Sequence, residues 1–252
     1  MVIDVGWLER TPAHLERKQF ELGCFEIQAE LRSMDLGRVR QRVHERLRLS
    51  PRVWREKEPF RFDPETLVLQ DDVRLFGYWQ SERYFVDHAA EIRDDFRFRV
   101  LPDDRNRALA TRIAHTPAVS VHVRRGDYVT NPATKAVHGA LPLDYYHAAV
   151  DRIRESEPEP HFYVFSDDPD WCSANLDLGG ATTVVDHNRG RGSEDLRLMS
   201  LCSHHVIANS SFSWWGAWLN AREDKIVVAP QEWMRDDSFD TRDLVPEGWI
   251  RI

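Results

Sequence analysis

The second half of the chain constrains the fold most. Short apolar runs at Val119–Val123, His161–Phe165, Thr182–Val185, His205–Ala208 and Lys225–Val228 alternate with helix-like stretches at Leu143–Glu155, Ser193–Ser203 and Ser213–Ala221. In the first of these stretches Tyr146, Ala149, Val150 and Ile153 recur at helical spacing. Ser193 is the expected N-cap of the second, with Glu194 and Asp195 in the first turn, where carboxylates complement the helix dipole. Strands alternating with helices in this way predict βαβ units and a mostly parallel sheet.

The positions of the polar residues carry the functional information. Arg124-Arg125-Gly126-Asp127 follows the first strand, Asp167-Asp168 the second, Asp186-His187-Asn188 the third, and Asn209-Ser210-Ser211-Phe212-Ser213 the fourth. Open parallel sheets bind ligands outside the carboxyl ends of their strands, so all four clusters fall where a ligand crevice is expected. Paired arginines there offer fixed, planar, permanently charged donors suited to a diphosphate, or else a salt bridge to Asp127. The turn from Asn209 into the next helix offers free N–H groups to the same anion, unless its serines cap that helix. Asp167-Asp168 reads as a cap or turn or, less simply, as a metal clamp. Asp195 is either a base or ribose acceptor or a first-turn carboxylate. His122 is either structural or part of the site beside Arg124.

The first hundred residues are irregular and rich in arginine. Ser33–Leu49 has an amphipathic helical pattern ended by Ser50-Pro51, Thr66–Leu69 reads as a strand, and Gly77–Gln80 as a loop. Ser81 is placed to cap a helix through Tyr84, Phe85 and His88, and a further helix is expected over Asp104–His115. Thr116-Pro117 then marks a boundary between domains 1–116 and 117–252.

Composition narrows the partners. With 252 residues, 42% hydrophobic and 30% charged, the chain has the make-up of a globular protein of one large or two small domains. Its net charge of −8 argues against a nucleic-acid surface. Cys24, Cys172 and Cys202 form neither a CxxC pair nor a metal-ligand spacing and read as inert thiols. The eleven histidines show no HExxH or HxH spacing, so no metal site is expected. No apolar run is long enough for a signal peptide or a transmembrane helix.

At this point the residues resemble a known family. His122-Val123-Arg124-Arg125-Gly126-Asp127-Tyr128 is similar to the HxRRGDY motif of the α-1,2-fucosyltransferases of glycosyltransferase family 11. Phe165–Asp168, the run Asn209–Asn220 (NSSFSWWGAWLN) and, upstream, Gly77–Glu82 resemble further motifs of that family, and Tyr145-Tyr146 and Pro230–Trp233 also fit.

The resemblance implies a GT-B-like α/β architecture with a C-terminal Rossmann-like parallel-sheet domain. It implies metal-independent, inverting transfer of L-fucose from GDP-β-L-fucose to the 2-hydroxyl of a galactoside. The partners are then GDP-fucose and a galactose-containing glycan. No cofactor is needed, and the setting is cytoplasmic, with peripheral contact to the inner membrane allowed. Arg124 and Arg125 would hold the diphosphate, with Asn209, Ser210, Ser211, Phe212 and Ser213 completing the pocket. His122 and Asp195 would contact the nucleoside. Asp127 is the candidate general base, or else the orienter of Arg125. Members of the family usually begin with a strand and a GGLGNQ-type loop, whereas Met1-Val2-Ile3-Asp4 matches downstream of it. A smaller, incomplete, largely helical N-terminal α/β domain is therefore expected. Two alternatives keep the donor pocket: a transferase for another nucleotide-activated deoxysugar, and a non-catalytic GDP-sugar-binding remnant. A third is a purely structural α/β module.

Overall fold

The computed structural model describes residues 2–4, 20–32 and 52–252, so the helix expected over 33–49 lies outside the described residues. The chain divides into two compact units, Met1–Val100 and Leu101–Ile252.

In the first unit β1 (Val2–Asp4) pairs in parallel with β2 (Glu30–Arg32), and β3 (Arg52–Arg55) with β4 (Val73–Phe76). Thr66–Leu69 is not a strand. Residues Pro64–Val68 form a 3-10 turn in which the Asp63 side chain accepts the Glu65 N–H and Pro64 opens the helix, so local capping overrides the apolar run. Ser81 does cap as expected, accepting from the Arg83 N–H. The helix it opens breaks at Phe85 (φ −148°) into two 3-10 turns before α1 (Ala89–Asp95) forms. The Gly77–Gln80 loop is held by Glu56, whose carboxylate accepts the Tyr78 and Trp79 N–H groups at 2.7 and 3.1 Å.

The second unit runs α2 (Asp104–Ala114), β5 (Ala118–Val123), α3 (Gly126–Thr130), α4 (Pro132–Val137), α5 (Leu143–Arg154), β6 (His161–Ser166), α6 (Pro169–Asn175), β7 (Thr182–Val184), α7 (Gly192–Leu201), β8 (His204–Val206), α8 (Ser211–Leu219), β9 (Val227–Ala229) and β10 (Ile250–Arg251). The strands form one six-stranded sheet in the order β10-β9-β8-β5-β6-β7, and every pairing is parallel. Helix α2 belongs with this unit because Leu109 and Ile113 pack on Ala118, Tyr163 and Phe165. Thr116-Pro117 is thus the junction of α2 with β5, and the division between the units falls earlier, after Val100.

The strand period of two sorts the β5 side chains. Val119, Val121 and Val123 face Tyr145, Tyr146, Ala149, Val150 and Ile153 of α5, as the helical spacing of those residues predicted. Ala118 packs on the opposite face with Leu198 and Met199 of α7. On that face α8 crosses α7 so closely that a Cβ on Gly216 would lie 2.8 Å from Met199 Cε. The tryptophans at 214, 218 and 233 are buried in the unit's interior. Cys172 and Cys202 are free and buried, and burial pushes both thiols up, in keeping with inert packing groups.

The topology fixes where a ligand can go. From β5 the chain winds outward through β6 to β7, then returns to the other side of β5 and winds through β8 and β9 to β10. The winding direction reverses between β5 and β8, and the splayed loops of such a switch point open a crevice at the carboxyl ends of those two strands. Among the described residues, no helix is long and apolar enough to cross a membrane.

Candidate functional site

The two sides of the switch point carry the arginine pair and a helix start. Arg124, just beyond β5, donates from Nη2 to Asp127 Oδ1 at 2.7 Å, and its Nη1 lies 2.9 Å from Asp167 Oδ2. Arg125 donates from Nε to Asp168 Oδ2 at 3.3 Å, and its guanidinium lies 3.6 Å from the centre of the Trp171 ring. Its two terminal nitrogens have no hydrogen-bond partner among the described residues. Carboxylates and an aromatic face therefore brace both guanidinium groups, which limits the rotamer entropy lost when an anion binds.

Three acids share these two arginines. Asp127 pairs with Arg124 and not with Arg125. Asp168 caps α6 by accepting the Trp171 N–H and also holds Arg125. Asp167 accepts the Arg125 backbone N–H at 2.9 Å while pairing with Arg124. Its approach requires Gly126, where a Cβ would meet Asp167 Oδ2 at 2.5 Å. Gly126→Ala is therefore expected to push Asp167 off both arginines and to lower kcat/KM by about 10- to 100-fold, with the thermal midpoint little changed. Kinetics beside a thermal scan check this; an unaltered kcat/KM would show that Asp167 does not set the arginines.

Opposite, Ser210 holds the N-cap position of α8 with extended backbone (φ −140°, ψ 127°), yet its hydroxyl caps none of the first-turn N–H groups. Ser213 is buried, with its hydroxyl turned inward onto the Ala208 and Ser210 carbonyls, so it can offer a ligand only its backbone. The N–H groups of Ser211, Phe212 and Ser213 are left without partners among the described residues, a ready anion site at a helix N-terminus. The Asn209 side-chain amide donates to the carbonyls of His138, Gly139 and Trp233 at 3.1, 3.2 and 3.3 Å, so it pins two loops. Tyr128, the last residue of the HxRRGDY run, donates to the Asn209 carbonyl at 3.0 Å and so ties that motif to the helix start.

A second wall extends from this point. His122, the alternate residue on β5, is buried 5.4 Å from the Phe212 ring. Burial, aided by Arg124, lowers its pKa to about 3, so the ring is neutral, and its Nδ1 has no hydrogen-bond partner. Phe212 in turn borders Gly192, where a Cβ would sit 3.5 Å from the ring. Gly192 opens α7, and the N-cap position there is Arg191, not Ser193. Asp195 lies one turn further on. Its Oδ1 accepts from Asn188 Nδ2 at 2.9 Å, and burial raises its pKa to about 6.

The raised Asp195 pKa has a stability consequence. The folded carboxyl holds its proton up to about pH 6, whereas the unfolded one releases it near the ordinary aspartate value of 3.8. Its contribution to stability is thus fully present below that lower value and is lost as pH rises through about 6. Asp195→Asn should raise the thermal midpoint at pH 8 and leave it unchanged at pH 3.5. An equal shift at both pH values would contradict a charge held at a cost.

Sequence reasoning missed Trp171, His138, Asp103 and Asn106. Trp171 and His138 sit in stretches without a motif, and only the Asp103 cap of α2 left a local signal. Among the described residues no group of three His, Cys, Asp or Glu side chains is placed to hold a metal ion.

The family model of glycosyl transferase family 11 matches residues 70–252. An alpha-1,2-colitosyltransferase of Escherichia coli is 38% identical over 186 residues, which cover 73% of this chain and 64% of that protein. An O-antigen biosynthesis glycosyltransferase of the same organism, WbnK, is 42% identical over 191 residues, 74% of this chain and 63% of its own. A galactoside 2-alpha-L-fucosyltransferase of Bos taurus is 32% identical over 154 residues, 58% of this chain and 42% of its own. The chain thus spans less than two thirds of the length of each. The match takes in the upstream Gly77–Glu82 motif, both arms of the crevice and the whole sheet, and the chain belongs to glycosyl transferase family 11.

Proposed function

We propose that the chain carries the donor half of an inverting transferase that moves L-fucose from GDP-β-L-fucose to the 2-hydroxyl of a galactoside without a divalent cation. The observation that carries this reading is the pairing, across the switch point between β5 and β8, of two braced guanidinium groups with an uncapped helix start. Such a clamp supplies the charge compensation that a departing nucleoside diphosphate needs. The acceptor oxygen forms a bond to the anomeric carbon as the bond from that carbon to the phosphate oxygen breaks. The bonding pair leaves on GDP, and a base takes the hydroxyl proton. Asp127 is our candidate base; its ion pair with Arg124 gives it an orienting role as well.

A second donor has specific support, because one relative is an alpha-1,2-colitosyltransferase. The test is a screen of GDP-fucose and other GDP-deoxysugars against galactoside acceptors, with the linkage of any product read by NMR. Transfer of fucose to O2 is expected. Transfer only from another deoxysugar would favour the second donor, and GDP binding without any transfer would favour a binding remnant.

A further inference from the structure

The loop after α4 is fixed along its backbone and unfinished at one side chain. Four successive carbonyls are bonded from elsewhere in the unit. Val137 accepts from the Arg235 N–H at 2.9 Å, His138 and Gly139 from the Asn209 amide at 3.1 and 3.2 Å, and Ala140 from Arg235 Nη2 at 3.4 Å. Gly139 turns the chain with φ +64°, and a Cβ there would run into Arg235 Nε, so the turn requires glycine. The His138 ring is held as well. It lies flat on the Tyr128 ring, with centres 5.0 Å and planes 11° apart. Yet neither ring nitrogen has a hydrogen-bond partner among the described residues. Nδ1 is closed off within this half-buried residue, which leaves Nε2 as the nitrogen that a ligand can reach.

The surroundings of the ring place it beside the arginine pair. Tyr128, on which it lies, has the Arg124 guanidinium 5.4 Å from its ring centre. The Tyr128 hydroxyl donates to the Asn209 carbonyl, next to the uncapped start of α8. The charged groups that act on the imidazole are Asp127 and Arg124, and Arg235 packs on the residue that follows it. Burial lowers its pKa below the ordinary histidine value of 6.5, with Asp127 opposing the shift and Arg124 adding to it. The ring is therefore neutral near pH 7. Asp127, in contrast, already accepts from Arg124 on Oδ1 at 2.7 Å. Unpartnered polar atoms in a neighbourhood that is otherwise bonded concentrate where a substrate completes them.

We propose that His138 is a catalytic residue of the transfer: its Nε2 takes the proton of the acceptor hydroxyl, and Asp127 balances the imidazolium that forms. The inference rests on the transferase reading above and deepens it, moving the proton from Asp127 to the ring beside it. The acceptor O–H bond breaks and its proton passes to Nε2. The oxygen forms its bond to the anomeric carbon, and the pair from the bond between that carbon and the phosphate oxygen leaves on GDP. Nε2 accepts when the ring's own hydrogen sits on Nδ1. The positive charge created on the ring then lies near a carboxylate, and the negative charge on the leaving group near Arg124. A neutral imidazole suits this role because a base serves best when its pKa lies near the working pH.

The test is the pH profile of kcat/KM for a galactoside acceptor at saturating GDP-fucose, beside calorimetric titration with GDP, for the wild type, His138→Gln and His138→Asn. Wild-type transfer should hold at pH 7 to 8 and fall about tenfold per pH unit below the His138 pKa, which lies under 6.5. Both variants should lose about 10²- to 10³-fold in kcat, keep GDP affinity within about 3-fold and lack this acid limb. A variant with the wild-type kcat would overturn the proposal and leave the donor reading intact. So would an acid limb that persists in a slowed variant, because another group, Asp127 first, is then the titrating base. Loss of GDP binding in step with kcat would assign the ring to the donor pocket and overturn its role as base. If neither variant folds, a wild-type profile that is flat from pH 8 down to 5 overturns the proposal as well. A wild type that binds GDP and transfers sugar to no acceptor would remove the transferase reading, and this step with it.

Discussion

Arg124→Ala is expected to lower kcat/KM by about 10³-fold, the scale set by removing a charged donor from a developing leaving-group charge. Arg124 is held between Asp127 and Asp167, so its guanidinium is already in place when the diphosphate arrives. The same half-exposed ion pairs contribute little to folding, about 1 kcal/mol. The sheet core of Val119, Val121, Phe162 and Val164 does not involve Arg124. The thermal midpoint should therefore fall by only a few degrees while transfer is nearly abolished. Arg124→Lys should recover little, because an ammonium cannot span two carboxylates with separate nitrogens. Single-turnover transfer and a thermal scan on the same preparation check both halves. Near-normal turnover in Arg124→Ala would remove this residue from the chemistry.

Asn209→Ala should have its largest effect on stability. The deleted amide leaves the carbonyls of His138, Gly139 and Trp233 without that donor inside the protein. Stranding buried acceptors costs about 1–3 kcal/mol, and the loops they belong to lose their common anchor. We expect a loss of about 3 kcal/mol, or a midpoint lower by about 6–12 °C. GDP affinity should weaken only as a consequence of loosened loops, and Asn209→Asp, which accepts where Asn209 donates, should be no better. A variant with the wild-type midpoint and no GDP binding would return Asn209 to direct ligand contact.

These two residues show what was legible in the sequence. The parallel sheet was readable because strands such as Val119–Val123 place valine at alternate positions and α5 repeats at 3.6 residues. The placement of polar clusters at strand ends followed from that order alone, before any geometry. What sequence could not assign was which partner each polar group finds. Asp127 pairs with Arg124 and not with Arg125, the Asn209 amide holds two loops, and the helix with Ser193 in its first turn begins at Gly192. Pairings such as Asn106 with Asn188 join residues far apart in sequence, and no local pattern encodes them. In the first unit the short apolar run at Thr66–Leu69 lost to the Asp63-Pro64 cap, a competition decided within a few residues.

We propose that a pyrophosphate is held at the β5–β8 switch point by guanidinium groups and helix N–H groups alone. Calorimetric titration with GDP, in the presence and absence of EDTA, addresses it directly. Saturable binding at one site, equal with and without the chelator and lost in Arg124→Ala, is the predicted result. Binding that vanishes on adding EDTA, or that survives the loss of the arginine unchanged, would contradict it.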